Sequence, residues 1–192
     1  ALTEFWPKLR AAKANIEAVA CDMSAAYWSA VLEHLPKAAL VFDRFHIVKL
    51  ANEAIDEVRR GLQNTLDLTG RKAIKGKRYL LLRGKENLRP EQQPALDEAL
   101  QWNEPLSKGY YLKEELRELW NQPSHQDACA YLQDWILRAR HSGLTPFERL
   151  AKTLLTHAKS ILNYYLHRIT SGKMEGINNK IGRLTRLAYG YR

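Results

Sequence analysis

Asp22, Asp43, His46 and Glu175 are the side chains of this sequence best placed to do chemistry. Asp22 directly follows the mostly apolar run Ile16–Cys21, and Asp43 directly follows Ala38–Phe42. If both runs are parallel strands, both acids sit at carboxyl ends, outside which open α/β sheets bind their ligands. A carboxylate there can reach a metal ion or a substrate. It can equally cap the helix that follows, and Asp22, two residues before Ser24, suits either role. Asp43 and His46 stand three apart, so one helical turn would face them the same way. They could hydrogen-bond to each other, share a metal or a water, or form a structural pair beside the sheet.

Glu175 belongs to the segment Ser171–Arg186. Met174, Ile177, Ile181, Leu184 and Ala188 form one apolar stripe there, and Glu175, Asn178, Asn179, Gly182 and Arg186 fall on another face. From Arg168 to Arg192 there are six Lys or Arg and one acid, Glu175. The glycines and asparagines of this segment lower helix propensity, so something other than helix formation selects them. Close approach of a backbone or a phosphate is a physical reason. A second basic cluster runs from Arg71 to Lys85. Of the eight charged side chains from Lys72 to Arg89, seven are basic, Glu86 being the exception. The cluster surrounds Tyr79 and Leu80–Leu82, which should be buried. It reads as a packed element with a basic outer face that can touch phosphate.

The elements that must position these groups are legible as periodicity. Thr3–Lys13 predicts a helix capped by Thr3, with Phe5, Leu9 and Ala12 on one face. The first strand is expected over Ile16–Cys21. A helix from Ser24 to His34, with Tyr27, Trp28, Val31 and Leu35 inward, is stopped by Pro36. The second strand is expected over Ala38–Phe42. Strand, helix and strand within about thirty residues make a βαβ unit. Its continuous apolar strands should be parallel and covered on both faces. From Phe45 to Tyr189 nearly every segment has helical period. Val48, Ala51, Ile55, Val58, Leu62 and Leu66 mark one face, and helices are predicted over Pro90–Trp102, Leu106–Trp120, Ser124–Arg140 and Pro146–Ile169. Breaks are expected at Gly70, Gly84, Asn103, Pro123 and Gly143. The fold class expected is mainly α with a small parallel βαβ remnant. Two strands do not make a stable open sheet by themselves, so further strands are expected N-terminal to Ala1.

Composition bounds the partners. The chain has 192 residues, 45% hydrophobic, with net charge +9 and pI about 9.6. That is enough for a packed core, and the basic balance favours a polyanion such as nucleic acid. The two cysteines, Cys21 and Cys129, form no CxxC pair, so no thiolate zinc site is expected. His34, His125, His141, His157 and His167 show no ligand spacing apart from the wide His157–His167 pair, and read as structural. Trp28, Trp102, Trp120 and Trp135 fit helix cores. There is no Gly-rich phosphate loop, no Ser-His-Asp pattern and no apolar run approaching the ~20 residues of a membrane span. A cytoplasmic protein without membrane partners is expected.

Several segments together carry a resemblance. They are Ala20-Cys21-Asp22-Met23 with Tyr27, then Asp43-Arg44-Phe45-His46-Ile47-Val48, then Arg78-Tyr79-Leu80-Leu81-Leu82, and finally Glu175-Gly176-Ile177-Asn178-Asn179-Lys180-Ile181. In this order and spacing the sequence resembles the ISL-three family of bacterial insertion-sequence transposases, across almost the whole chain. The resemblance implies an RNase H-like core with an Asp, Asp, Glu triad, interrupted by a large helical insertion. Asp22 matches the second Asp, Glu175 the final Glu, and Asp43 with His46 the C/D-x-x-H signature. The implied layout is a partial core over 1–48, a helical insertion over 49–170, and a core helix over 171–192.

The implied cofactor is Mg²⁺, in a two-metal mechanism with Asp22 and Glu175 as ligands. The implied partners are transposon-end and target DNA, met by Lys173, Asn178, Asn179, Lys180, Arg183 and Arg186 and by Arg71, Lys72, Lys75, Lys77 and Arg78. A bacterial, nucleoid-associated location would follow. No Asp precedes Asp22, so the family's first Asp and its DNA-end-recognising region are expected upstream. Little or no strand transfer is therefore expected of this chain alone. Two other readings compete: a non-catalytic helical DNA-binding or protein-interaction module, and a hydrolase using Asp43 and His46 at a single metal. Self-association through the edge of the first strand is also open.

Overall fold

The computed structural model describes residues 5–12, 15–63, 65–101, 103–172, 180 and 183–184. The chain divides into two compact units, residues 1–46 with 159–192, and residues 47–158.

The first unit begins with α1 (Phe5–Ala11), β1 (Ala18–Cys21), α2 (Ala25–His34) and β2 (Ala39–Phe42). The two strands pair in parallel, with Ala18 opposite Ala39 and Cys21 opposite Phe42. The βαβ unit expected from the sequence is thus realised, and both strands end where their apolar runs meet Asp22 and Asp43. The unit closes with α10 (Ala158–Leu162), whose first residue belongs to the other unit, and with α11 (Tyr164–His167). Val31, Leu40, Val41, Phe42, Ile161, Leu162 and Tyr165 are its buried apolar residues, with Trp6 against the His34 ring at 4.5 Å between centroids.

Two expectations fail here, the equal cover of the strands and the inward Tyr27. β1 is half-buried along its whole length while β2 is buried from Leu40 on, so the strands are not equally covered. In β1 the N–H and C=O groups of Ala18 and Ala20 point away from β2, and no strand pairs with them among the described residues. Tyr27 is 51% exposed, and only Val31 of α2 is fully buried, because a two-stranded sheet offers a narrow face to its crossover helix.

The second unit is helical. It contains α3 (Arg44–Gln63) from Ile47 on, α4 (Leu68–Ile74), α5 (Arg78–Leu82), α6 (Gln93–Gln101), α7 (Glu104–Arg117), α8 (His125–Arg140) and α9 (Thr145–Thr156). Short 3₁₀ turns over 85–87, 90–92 and 118–121 link several of them. The starts follow from sequence. Asp67, Asn103 and Ser124 each accept a first-turn N–H, from Gly70 at 2.8 Å, Leu106 at 3.3 Å and Asp127 at 3.1 Å. On α3 the buried face is Ile47, Ala51, Ala54, Ile55 and Val58; of the expected face Ala51, Ile55 and Val58 are buried, while Val48, Leu62 and Leu66 are half-buried. α8 packs along α9 through Leu132, Trp135, Ile136 and Ala139 on one side and Phe147, Leu150, Ala151 and Leu154 on the other. Gly109 lets α7 close on its neighbours: a Cβ there would meet Ile55 Cδ1 at 2.8 Å and Phe147 Cε2 at 3.1 Å.

Two sequence expectations change in this unit. Gly70 lies buried inside α4 rather than at a break, because Asp67 caps the helix ahead of it. Pro146–Ile169 is not one helix but three, α9, α10 and α11. One of the interruptions, Asn163, turns its side chain to the sheet, where its Nδ2 donates to Leu40 O at 2.8 Å. α10 from Lys159 on and α11 group with the sheet unit. A buried cation was not foreseen either. Lys113 is wholly buried on α7. Its Nζ donates to Leu81 O at 2.6 Å and Arg83 O at 3.0 Å, beside Glu114 Oε1 at 2.6 Å.

Candidate active site

Asp22 and Asp43 stand next to each other at the carboxyl ends of β1 and β2, since the residues before them, Cys21 and Phe42, are register partners. The same local rule, an apolar run ended by an acid, makes both. Their surroundings differ. Asp22 is half-buried, and its Oδ1 accepts the Ser24 N–H at 2.9 Å, the i+2 contact of an Asx turn leading into α2. Its Oδ2 accepts no hydrogen bond among the described residues. The two roles that the sequence offered Asp22 are therefore compatible: one oxygen fixes the side chain, and the other is available.

Asp43 is 4% exposed and both of its oxygens accept hydrogen bonds. Oδ1 takes the Phe45 N–H at 2.7 Å, which caps α3. Oδ2 takes both the N–H and the Oγ–H of Ser171, each at 2.7 Å. Burial by itself would push this carboxyl up. The Ser171 hydroxyl, the Phe45 and Ser171 amides and the nearby His46 outweigh it and hold the group below its ordinary range. His46 packs edge-to-face on Phe45, with 5.5 Å between centroids, and its backbone N–H returns to Asp43 O at 3.2 Å. No hydrogen bond joins the His46 ring to the Asp43 carboxylate among the described residues. Ser171, 128 residues away, is the partner that the sequence did not reveal. Burial pushes the Cys21 thiol up to about 11, the Asp22 carboxylate adding to the effect, so Cys21 is a poor thiolate ligand at neutral pH.

Glu175, Lys173, Asn178, Asn179 and Arg186 lie outside the described residues. Lys180 and Arg183 are exposed. So is Leu184, at 66%, although the sequence placed it in an apolar stripe. Among the described residues no three His, Cys, Asp or Glu side chains converge as a metal site.

The second basic cluster separates into two groups. Leu68, Arg71, Lys72 and Lys75 are exposed at spacings of three and four along α4 and its C-cap, while Gly70, Ala73 and Ile74 are buried opposite. Arg71, Lys72 and Lys75 form no ion pair among the described residues. Lys77 and Arg78 are engaged within the protein. Lys77 pairs with Glu98 at 3.0 Å and donates to Ala95 O, and Arg78 reaches Asp56 at 3.3 Å. Tyr79 is 72% exposed rather than buried, because α5 has only five residues and turns Leu81 inward; the Arg78 guanidinium lies 5.8 Å from the Tyr79 ring centroid.

The comparisons with known proteins agree with the segments that carry the resemblance. A family profile described as Transposase, of the ISL-three DDE type, matches residues 1–192. The chain is 40% identical over 181 residues to the transposase for insertion sequence element IS1001 of Bordetella parapertussis. It is 30% identical over 204 residues to the transposase for insertion sequence element IS1557 of Mycobacterium tuberculosis. Each match covers 93% of this chain and 45% of the relative, so the chain spans about half the length of the curated relatives it matches. No solved structure matches. The chain belongs to the ISL-three family of insertion-sequence transposases.

Proposed function

We propose that this chain is part of the catalytic domain of a DDE-type transposase that cleaves DNA and transfers its strands to move an insertion sequence. In this reading the sheet unit is part of an RNase H-like core, the segment 49–170 is for the most part a helical insertion, and 171–192 supplies the final carboxylate, Glu175. The observation that carries the reading is Asp22. It ends a parallel strand, one of its oxygens is held by Ser24 N–H at 2.9 Å, and the other accepts nothing among the described residues. An oriented carboxylate of this kind fits a hard divalent cation such as Mg²⁺. Asp43 fits a ligand role less well than Asp22, because each of its oxygens already accepts from the protein, three donors in all. This also disfavours a hydrolase built on Asp43 and His46.

Bound by Asp22 and Glu175, two such ions would activate a water or a DNA 3′-hydroxyl and stabilise the leaving oxygen. The reaction is an in-line displacement at phosphorus. The attacking oxygen forms one P–O bond as the bond to the leaving oxygen breaks, and no protein nucleophile is needed. The chain's own contribution is to fix Asp22 through the turn at Ser24 and to present cations to the DNA backbone. Arg71, Lys72, Lys75, Lys180 and Arg183 are exposed and suited to phosphate. Lys77 and Arg78 would have to exchange Glu98 and Asp56 for DNA to take part. The unpaired outer edge of β1 suits a further strand, from the same protein or from a second copy. No helix among the described residues is long and apolar enough to cross a membrane, and action on a bacterial chromosome would place the protein in the cytoplasm.

Asp22→Asn in the transposase tests the reading. Loss of a ligand worth several kcal/mol should slow cleavage of element-end DNA by about a hundredfold or more while DNA binding persists. Cleavage at the unmodified rate would overturn the carboxylate reading and leave a DNA-binding helical module.

A further inference from the structure

The segment leading to Glu175 is pinned to β2 at two points, both within the sheet unit. Asn163 Nδ2 donates to Leu40 O at 2.8 Å. The ladder bonds of β2 come from Ala39 and Asp43, to Glu17 O and Cys21 O, so the carbonyl of Leu40 points to the other edge. Asn163 thus covers that edge near its start. Ser171 then meets Asp43 just beyond the strand's end. Between the two anchors, after α11, Arg168 adopts φ 52°, a left-handed conformation rare outside glycine. Its guanidinium lies over the Tyr164 and Tyr165 rings at 5.4 and 4.8 Å, which holds the reversal in place. The chain is therefore led along β2 from Leu40 to Asp43.

We propose that Asp43 is a positioning residue: by gripping Ser171 it sets where the chain enters the segment that carries Glu175, and so sets that acid against Asp22. This rests on the assignment of Asp22 and Glu175 proposed above. Four residues of chain reach at most ~14 Å, so the place where Ser171 is held limits where the acid four residues on can act. Asp43 stands beside Asp22 in the sheet register, and the grip therefore brings Ser171 to the strand end where Asp22 is. The division of labour within the carboxylate is specific. Oδ1 caps α3 through Phe45, and Oδ2 alone serves Ser171.

That division makes the two functions separable. Asp43→Asn keeps a good cap for α3 through its carbonyl oxygen. Its amide nitrogen cannot accept from Ser171. Ser171→Ala removes one donor and leaves α3 untouched, and Ser171→Thr restores a hydroxyl. Two readouts apply: amide hydrogen exchange at Ser171, and the rate and Mn²⁺ dependence of element-end cleavage by the transposase. In Asp43→Asn the Ser171 amide should exchange faster, and cleavage should fall by about a hundredfold with a raised half-saturating Mn²⁺ concentration. Ser171→Ala should lose about tenfold, and Ser171→Thr should recover most of it. Melting temperature and DNA binding should stay near those of the unmodified protein in the Ser171 variants. If Asp22→Asn and Glu175→Gln abolish cleavage while Ser171→Ala and Asp43→Asn leave its rate and Mn²⁺ dependence unchanged, the grip has no positioning role. If Asp22→Asn and Glu175→Gln cleave normally, it is the underlying catalytic assignment that fails.

Discussion

Two carboxylates that end adjacent strands have different fates because of what each meets. Asp22 meets one amide and keeps an oxygen free; Asp43 meets three donors and is consumed by them. A charge can be buried in this way only when its hydrogen-bonding capacity is satisfied. Lys113 follows the same rule with the opposite sign. Burial pulls its ammonium below the ordinary lysine range, while the Glu114 carboxylate acts in the other direction. Its two carbonyl acceptors lie at the end of α5, so this one side chain ties α5 to α7. Lys113→Ala would leave those carbonyls without their donor and the partly buried Glu114 with Arg117 at 3.7 Å as its remaining cation. We expect it to lower stability by about 3–5 kcal/mol, read as a shift of the urea unfolding midpoint. A loss under about 1 kcal/mol, the ordinary range of an exposed pair, would show that the buried pair contributes little.

At the scale of elements, α4 is amphipathic in an informative way. Its inner face, Gly70, Ala73 and Ile74, packs, and its outer stripe leaves Arg71, Lys72 and Lys75 without an ion pair among the described residues, Arg71 Nε donating to Leu66 O at 2.8 Å. The next two cations are held by Asp56 and Glu98 and work for the fold instead. If the α4 stripe meets phosphates, the triple change Arg71→Ala, Lys72→Ala and Lys75→Ala should weaken DNA binding across all sequences. The slope of log affinity against log salt should become shallower by up to about 2.7, at roughly 0.9 per phosphate contact. Thermal stability should change little, since all three are exposed and the one bond lost is that of Arg71 to the Leu66 carbonyl. Binding with an unaltered slope would remove α4 from the DNA surface.

For the whole molecule, a net charge of +9 and a sheet edge without a partner among the described residues point outward, to DNA and to another strand. The outward groups of β1 belong to Ala18 and Ala20; those of Val19 and Cys21 face β2. Ala20→Pro deletes one outward N–H and spares the ladder. If two copies pair along this edge, sedimentation should show a dimer that Ala20→Pro converts to monomer at unchanged helix content. A dimer that survives the substitution must form elsewhere.

The sequence alone determined the places of Asp22 and Asp43, the parallel pairing of their strands, the helix start at Ser124, and the Ala51, Ile55 and Val58 face of α3. All of these depend on neighbours a few residues apart, through apolar period, propensity and local side-chain hydrogen bonds. Tertiary structure alone decided that Asp43 belongs to Ser171, that Asn163 covers the β2 edge, that Lys113 turns inward and Tyr79 outward, and that Lys77 and Arg78 are already paired. In each case the deciding partner is brought by packing from a distant segment or withheld by the narrowness of a short element. A charge or an aromatic ring carries no local mark of which of these it will meet.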